Sequence, residues 1–148
     1  MDRAEMQHLV AELAPAWDDV RAIAIVHTGA WAVQFADGRT VGIEHEPAAG
    51  RVVISAGLGR VPEEHRLAVY AAMLNFNALG GEVGGARLSL TGAEREAELS
   101  AVLADEGLSL DGLRAALGFL ADSARAWTAM MRDPGAAGLQ PPPGAVRV

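Results

Sequence analysis

Apolar and polar positions follow two different periods along the chain, and the changes between them mark its elements. Near the N-terminus the apolar residues recur at helical spacing: Met6, Leu9, Val10 and Leu13. Asp2 and Glu5 have the spacing of a capping box, and Pro15 cannot continue a helix. The pattern therefore predicts a short amphipathic first helix that begins after Asp2 and ends near Pro15.

From Arg21 onward the period shortens to that of β-strands. Four runs follow one another, IAIV, WAVQF, TVGIEHE and RVVISAGL, and Gly, Asp or Pro residues separate them. None of the connections is long enough for a helix. The runs therefore predict an antiparallel meander.

The apolar faces of these strands also predict the hairpin loops. A two-residue turn after the second run would mix the two faces, whereas a three-residue loop at 36–38 pairs Val33 with Val41. This loop needs Gly38 in the left-handed conformation. A four-residue loop at 47–50 then continues the same apolar face onto the fourth run.

The segment 62–77 predicts a second helix with more apolar surface than one partner can cover. One face carries Leu67, Tyr70, Ala71, Leu74 and Ala78, and a rotated face carries Val69, Ala72, Met73 and Phe76. We expect the first face to pack on the sheet and the second to contact another copy of the chain.

The remaining chain predicts a strand at 87–91, a segment at 94–105 with two interpretations, and a long final helix. Propensity favours a helix for 94–105, whereas its alternation favours a strand. The last helix has apolar residues at four- and three-residue steps: Leu113, Leu117, Leu120, Ala124, Trp127 and Met131. We expect a single domain over 1–132 and a mobile tail, rich in Pro and Gly, over 133–148.

Composition excludes several classes of protein. Hydrophobic residues make up 51% of the chain, which is enough to form a core without disulfide or metal cross-links. The absence of cysteine excludes disulfides and thiolate chemistry. The net charge of −7 opposes binding to nucleic acid. No apolar run is long enough for a membrane span, and charged residues occupy the place of a signal sequence, so we expect a cytoplasmic protein.

Candidate chemistry is sparse. No nucleophile, phosphate-loop or zinc-protease motif occurs, and His8, His27, His45 and His65 lack the close spacing of metal ligands. We expect all four to be solvated or capping residues. The sequence therefore predicts no enzyme, no metal and no cofactor, and leaves exposed apolar surface as the functional feature.

Taken together, the motifs resemble the Tir chaperone (CesT) family, the class I chaperones of type III secretion. They comprise G-x-W-x-V-x-F-x-D-G at 29–38, V-x-I-E at 41–44, V-I-S-A-x-L-G at 53–59, Met73-Leu74 with Asn77, Leu110-Asp111 before Leu113, and Trp127. The resemblance covers about residues 4–132.

The resemblance implies an α+β fold of order α-β-β-β-α-β-β-α, with an antiparallel twisted sheet, three helices and strand structure at 95–104. It also implies a homodimer that binds the N-terminal chaperone-binding segment of a secreted effector and keeps it competent for export. The implied effector-binding residues are Leu9, Leu13, Trp17, Trp31, Val33 and Phe35. The implied dimer interface consists of Val69, Met73, Phe76, Leu88 and Leu90.

Two other readings stay open at this point. A chaperone-fold dimer outside secretion, similar to the YbjN-type proteins, would share the same sequence features. A small-ligand-binding protein is the third reading, although the convergent polar residues that such a pocket requires are missing.

Overall fold

The computed structural model describes residues 1–80 and 85–135. Most of the predicted tail and part of the glycine-rich linker lie outside the described residues. The elements are α1 (Arg3–Ala11), α2 (Leu13–Ala16), β1 (Val20–His27), β2 (Ala30–Phe35), β3 (Thr40–Glu46), β4 (Arg51–Arg60), α3 (Arg66–Ala78), β5 (Arg87–Thr91), β6 (Glu96–Ala104) and α4 (Leu110–Arg132).

The predicted α+β class is confirmed, with an antiparallel sheet and three main helices. The sheet has six strands in the order β1-β2-β3-β4-β6-β5. The run at 23–26 lies in β1, so four strands precede α3 where the resemblance implies three. The four alternating runs in the sequence already indicated this additional strand.

Both predicted hairpin registers are confirmed. Val33 pairs with Val41, the Phe35 amide donates to the Arg39 carbonyl over 2.8 Å, and Gly38 has a φ of +89°. The next hairpin pairs His45 with Val52. Because side chains alternate along a strand, these registers keep the apolar residues of successive strands on one face.

The segment at 94–105 forms β6, as the resemblance implied and against its helix propensity. Ala97, Leu99 and Ala101 are buried on the core face of the sheet. Burial of this alternating set outweighs propensity, which is only a weak preference per residue.

Helix α4 covers the core face of the sheet. Ser109 caps it, since its hydroxyl accepts a hydrogen bond of 3.1 Å from the Gly112 amide. Five of the six residues predicted for the apolar face of α4 are buried, namely Leu113, Leu117, Leu120, Ala124 and Met131, and the sixth, Trp127, is half-buried against the core. The capping box of Asp2 and Glu5 on α1 is also confirmed.

Helix α3 has two apolar faces, but their assignment is the reverse of the predicted one. Val69 and Met73 are buried in the core of the chain, and the Phe76 ring packs edge-on against Trp127 at 5.4 Å. Leu67 is 86% exposed and Leu74 is 71% exposed. Both faces contain large apolar side chains, so hydrophobicity alone did not distinguish them.

A buried polar pair joins β3 to the residue that follows β6. His45 Nε2 lies 3.0 Å from Asp105 Oδ2, and both side chains are almost fully buried. His45 is therefore a structural residue and not a solvated one. The hydrogen bond with His45 holds the pKa of the Asp105 carboxyl below its ordinary value of 3.8, while burial acts in the opposite direction.

The low pKa of Asp105 predicts a pH-dependent contribution to stability. The contribution is complete above the unfolded-state pKa of about 3.9 and disappears as the pH falls through the lower folded-state pKa. Asp105→Asn should reduce the free energy of unfolding near neutral pH, and this difference should shrink on acidification below about pH 4.

Urea unfolding at a series of pH values measures this effect. Glu106→Gln, at an exposed neighbouring position, is the matched control and should unfold like the wild type. A loss in Asp105→Asn that stays constant down to acid pH would contradict the assigned role of the carboxylate.

Candidate functional site

The two edges of the sheet differ in how they are covered. Strand β1 forms one edge and pairs only with β2. Its Ile25 is 70% exposed and its Val26 is 63% exposed. An edge strand with unprotected backbone groups and exposed apolar side chains can accept a further strand.

The opposite edge is closed by a side chain. Strand β5 forms this edge, and Asn77 of α3 makes two hydrogen bonds of 2.8 Å to it. Its amide nitrogen donates to the Leu88 carbonyl, and its amide oxygen accepts from the Leu88 amide. Asn77 thus occupies the two backbone groups that an added strand would need at this position.

A row of paired side chains runs from the core to the open edge. Ile25 pairs with Trp31, Trp31 with Ile43, Ile43 with Ile54, and Ile54 with Ala101. Opposite residues in an antiparallel sheet share a face, so Ile25 extends the core face beyond the cover of the helices. A strand added beside β1 would continue this row with its own apolar side chain.

The open edge is irregular near its end. The register between β1 and β2 shifts between Ile25 and His27, so Val26 has no partner on β2. A bulge of this kind turns side chains outward and is common at sheet edges and binding sites. It leaves two adjacent apolar side chains on the surface, on either side of the strand.

Trp17 lies at the start of β1, between the helical N-terminal region and the sheet. Its ring packs edge-on against Phe35 at 5.1 Å, and the Arg114 guanidinium lies 5.6 Å from its centre. The ring lies close to Gly118 on α4, where a Cβ would be in ordinary van der Waals contact with it at 3.6 Å. Trp17 is therefore half-buried and held in one orientation beside the open edge.

The predicted effector-binding residues fall into two groups. Leu9 and Trp17 are half-buried and present part of their surface to solvent. Four others are interior residues of the same core: Leu13, Trp31, Val33 and Phe35. A ligand cannot contact side chains that the protein itself encloses. These four residues therefore support the binding surface from inside the core.

The predicted dimer-interface residues are divided in the same way. Val69, Met73 and Leu88 are buried within the chain, and Phe76 is half-buried. Leu90 is 37% exposed. The exposed apolar surface of α3 consists instead of its outer face, with Leu67, Leu74 and, after the last turn, Leu79.

Metal-binding clusters are absent from residues 1–80 and 85–135, where no three His, Cys, Asp or Glu side chains converge. Within the same residues, no helix has the length and apolarity needed to cross a membrane. The candidate functional surfaces are the exposed apolar residues on β1 and α3.

The model of the Tir chaperone protein (CesT) family matches residues 8–128. The chain belongs to this family. The match covers every element from the middle of α1 to the last turn but one of α4, including both sheet edges. Family membership confirms the resemblance that the motifs indicated, and the family is one of chaperones.

Solved structures of low sequence identity share this fold. A chain of the ExsC–ExsE complex is 18% identical with a TM-score of 0.73, and the similarity covers 88% of this chain and 97% of that one. The Yersinia pestis type III secretion chaperone SycH, in complex with a fragment of YscM2, is 20% identical with a TM-score of 0.62, covering 81% and 97%.

The same fold occurs in an uncharacterized protein from Methanothermobacter thermautotrophicus, at 14% identity and a TM-score of 0.58, covering 86% of this chain and 97% of that one. No curated protein matches the chain at a significant level.

Sequence reasoning missed three residues of this surface. Ile25 and Val26 were assigned to a strand but not to a site, although two consecutive apolar residues in an otherwise alternating strand indicate that one of them faces outward. Asn77 was noted as part of a motif, but only the structure brings it to the Leu88 backbone.

The division of the N-terminal residues predicts different costs of truncation. Leu13→Ala should reduce the free energy of unfolding by about 2–5 kcal/mol, because it leaves a cavity in the core. Leu9→Ala removes a half-buried side chain and should cost clearly less. Chemical denaturation of both variants measures the difference, and an equal loss in the two would contradict the burial of Leu13.

Proposed function

We propose that this chain is a type III secretion chaperone that acts as a homodimer. It binds the N-terminal chaperone-binding segment of a secreted effector and keeps that segment extended and competent for export without ATP. Membership of the chaperone family over residues 8–128 is the observation that carries this proposal. The open β1 edge supplies the physical means.

Strand addition fits the chemistry of the β1 edge. An extended segment beside β1 gains backbone hydrogen bonds that do not depend on its sequence, and its alternate side chains reach the apolar row that ends at Ile25. The half-buried Trp17 and Leu9 would give further apolar contact near the start of the strand. Backbone bonding of this kind suits a client that is not yet folded.

Dimerisation through α3 fits the exposed apolar face of that helix. Leu67 and Leu74 lie two turns apart on one side of α3, and both are largely exposed in the single chain. Large apolar residues exposed in a contiguous strip are typical of protein interfaces. The buried Val69 and Met73 would then hold α3 on its own sheet and position the outer face for the partner.

A second function is a chaperone-fold dimer outside secretion. The similarity to the uncharacterized Methanothermobacter protein supports this alternative, because the fold is not limited to chains described as secretion chaperones. Capture from the native cytosol followed by mass spectrometry separates the two. A secreted effector held through its N-terminal segment supports the first function, whereas a bound metabolite without a protein partner would contradict both.

Substitution at the open edge tests the mode of binding. Ile25→Lys should weaken client binding about tenfold or more, because it places a charge where the added strand would pack. It should leave the free energy of unfolding nearly unchanged, because the site is exposed. Binding of a purified client segment, followed by calorimetry, measures the loss.

Val102→Lys is the matched control for this test. Val102 is 55% exposed on β6 and points away from the core face, so the same exchange there should leave client binding unchanged. Equal binding by the wild type and Ile25→Lys would show that the client does not use the β1 edge.

Charges on the outer face of α3 test the dimer. The double variant Leu67→Glu with Leu74→Glu should be monomeric by light scattering with an unchanged circular dichroism spectrum, because both sites are exposed in the single chain. Met73→Glu should instead unfold the chain, since it buries a charge. Phe119→Glu, at an exposed site on α4, is the control and should stay dimeric. A double variant that remains dimeric would show that the interface does not use the outer face of α3.

A further inference from the structure

A cavity of about 580 Å³ lies between the C-terminal half of α4 and strands β3 and β4. It exists because small residues meet where the helix crosses the sheet: Ala121, Ala124 and Ala129 on α4, and Ala56 and Gly57 on β4. Its size is in the range of about 300–1,000 Å³ that ligand clefts typically have. The open edge at β1 does not line it.

The floor of this cavity is apolar and its rim is cationic. Val41, Ala56 and Ala124 are buried below it, and Arg39, Arg125 and Arg132 surround its mouth. Such a combination offers cover for an apolar side chain and charged hydrogen bonds for a carboxylate at the same time.

The rim holds more positive than negative charge. Arg39 is bonded to Asp37 and lies 3.4 Å from Asp122, and Arg125 lies 2.8 Å from the same Asp122 oxygen. Arg132, in the last turn of α4, lines the cavity as a third guanidinium. Three guanidinium groups thus face two carboxylates, in a chain whose net charge is −7.

The existing ion pairs of the rim are easily exchanged. Asp122 is 70% exposed and Arg125 is 63% exposed, and exposed pairs contribute little to stability. Arg39 is held more firmly, because its guanidinium lies 5.7 Å from the centre of the Phe35 ring. An incoming carboxylate can therefore meet Arg125 and Arg132 without disrupting the core.

We propose that this cavity binds an acidic segment of the client, in which an apolar side chain stands beside an Asp or Glu. The apolar side chain would fill the space above Val41 and Ala56, and the carboxylate would bond to Arg132 and Arg125. The proposal rests on the proposed function and adds a second, sequence-selective contact to the strand addition at β1.

Charge argues against two other occupants. The segment that follows α4, 136–148, contains one arginine and no acidic residue, so it does not complement a cationic rim. Nucleic acid carries a charged phosphate at every nucleotide, so the net charge of −7 repels it along its whole length, and its backbone has no apolar side chain to fill the floor. An acidic and apolar peptide is the class that fits both the rim and the floor.

Three fluorescent peptides on one Gly/Ser scaffold test the selectivity of the full chain. The first carries Leu-Asp-Leu-Glu, the second replaces both acids by Lys, and the third replaces them by Asn and Gln. By anisotropy, the acidic peptide should bind about tenfold more tightly than the other two, and added salt should reduce this preference. Equal affinity for the three peptides would overturn the proposal.

Variants on α4 locate the contact. Ala129→Trp fills the mouth of the cavity and should abolish binding of the acidic peptide, whereas Ala126→Trp, an exposed site outside the cavity on the same helix, should not. Arg132→Gln should weaken binding about three- to tenfold, and Arg51→Gln should leave it unchanged. Wild-type affinity in both Ala129→Trp and Arg132→Gln would overturn the proposal.

Deletion of 136–148 tests the chain's own segment as the occupant. Unchanged affinity for the acidic peptide supports the proposal, whereas an increase of about tenfold or more would identify this segment as a competitor in the cavity and overturn it.

The identified client separates this proposal from the proposed function. Client binding that is reduced by both Ile25→Lys and Ala129→Trp supports the two together. Loss with Ile25→Lys alone overturns the cavity proposal and leaves the chaperone function intact. Selective binding of the acidic peptide by a chain that captures no client supports the cavity as an acidic-peptide site and contradicts the chaperone function.

Discussion

Burial of one apolar face of the sheet is the interaction on which the rest of the structure depends. The cross-strand row from Ile25 through Trp31, Ile43 and Ile54 to Ala101 shows that five strands share this face. Helix α4 covers its centre, and α1 and α3 add Met6, Val10, Val69 and Met73 to the same core. A one-residue slip in any hairpin would remove a whole strand from this face, and the loops at 36–38 and 47–50 prevent it.

The same constraint creates the difference between the two sheet edges. A sheet of this kind must end somewhere, and each end leaves backbone groups without a strand partner. At β5 the Asn77 amide satisfies both groups of Leu88, and α3 packs nearby. At β1 no side chain of residues 1–80 and 85–135 is recorded in a comparable contact, and Ile25 carries the apolar face out to solvent.

Helix α3 shows where the sequence was ambiguous. Its two apolar faces were both visible in the spacing, and the structure leaves one of them, with Leu67 and Leu74, exposed in the single chain. Leu67 and Leu74 are as hydrophobic as Val69 and Met73, so the residues did not indicate which face meets the sheet. That choice goes with the contacts of Phe76 with Trp127 and of Asn77 with Leu88, both of which depend on the folded chain.

The sequence by itself determined most of the elements and the two hairpin registers, because alternation, capping residues and turn glycines act over a few neighbouring residues, whereas the segment at 94–105 stayed open between helix and strand. It did not determine which apolar residues would be covered. Leu13, Trp31, Val33 and Phe35 were candidates for the binding surface but lie in the core, whereas Ile25 and Val26, predicted only as part of a strand, lie on the surface. Only the tertiary structure decided this, because exposure depends on where helices from distant parts of the chain end above the sheet.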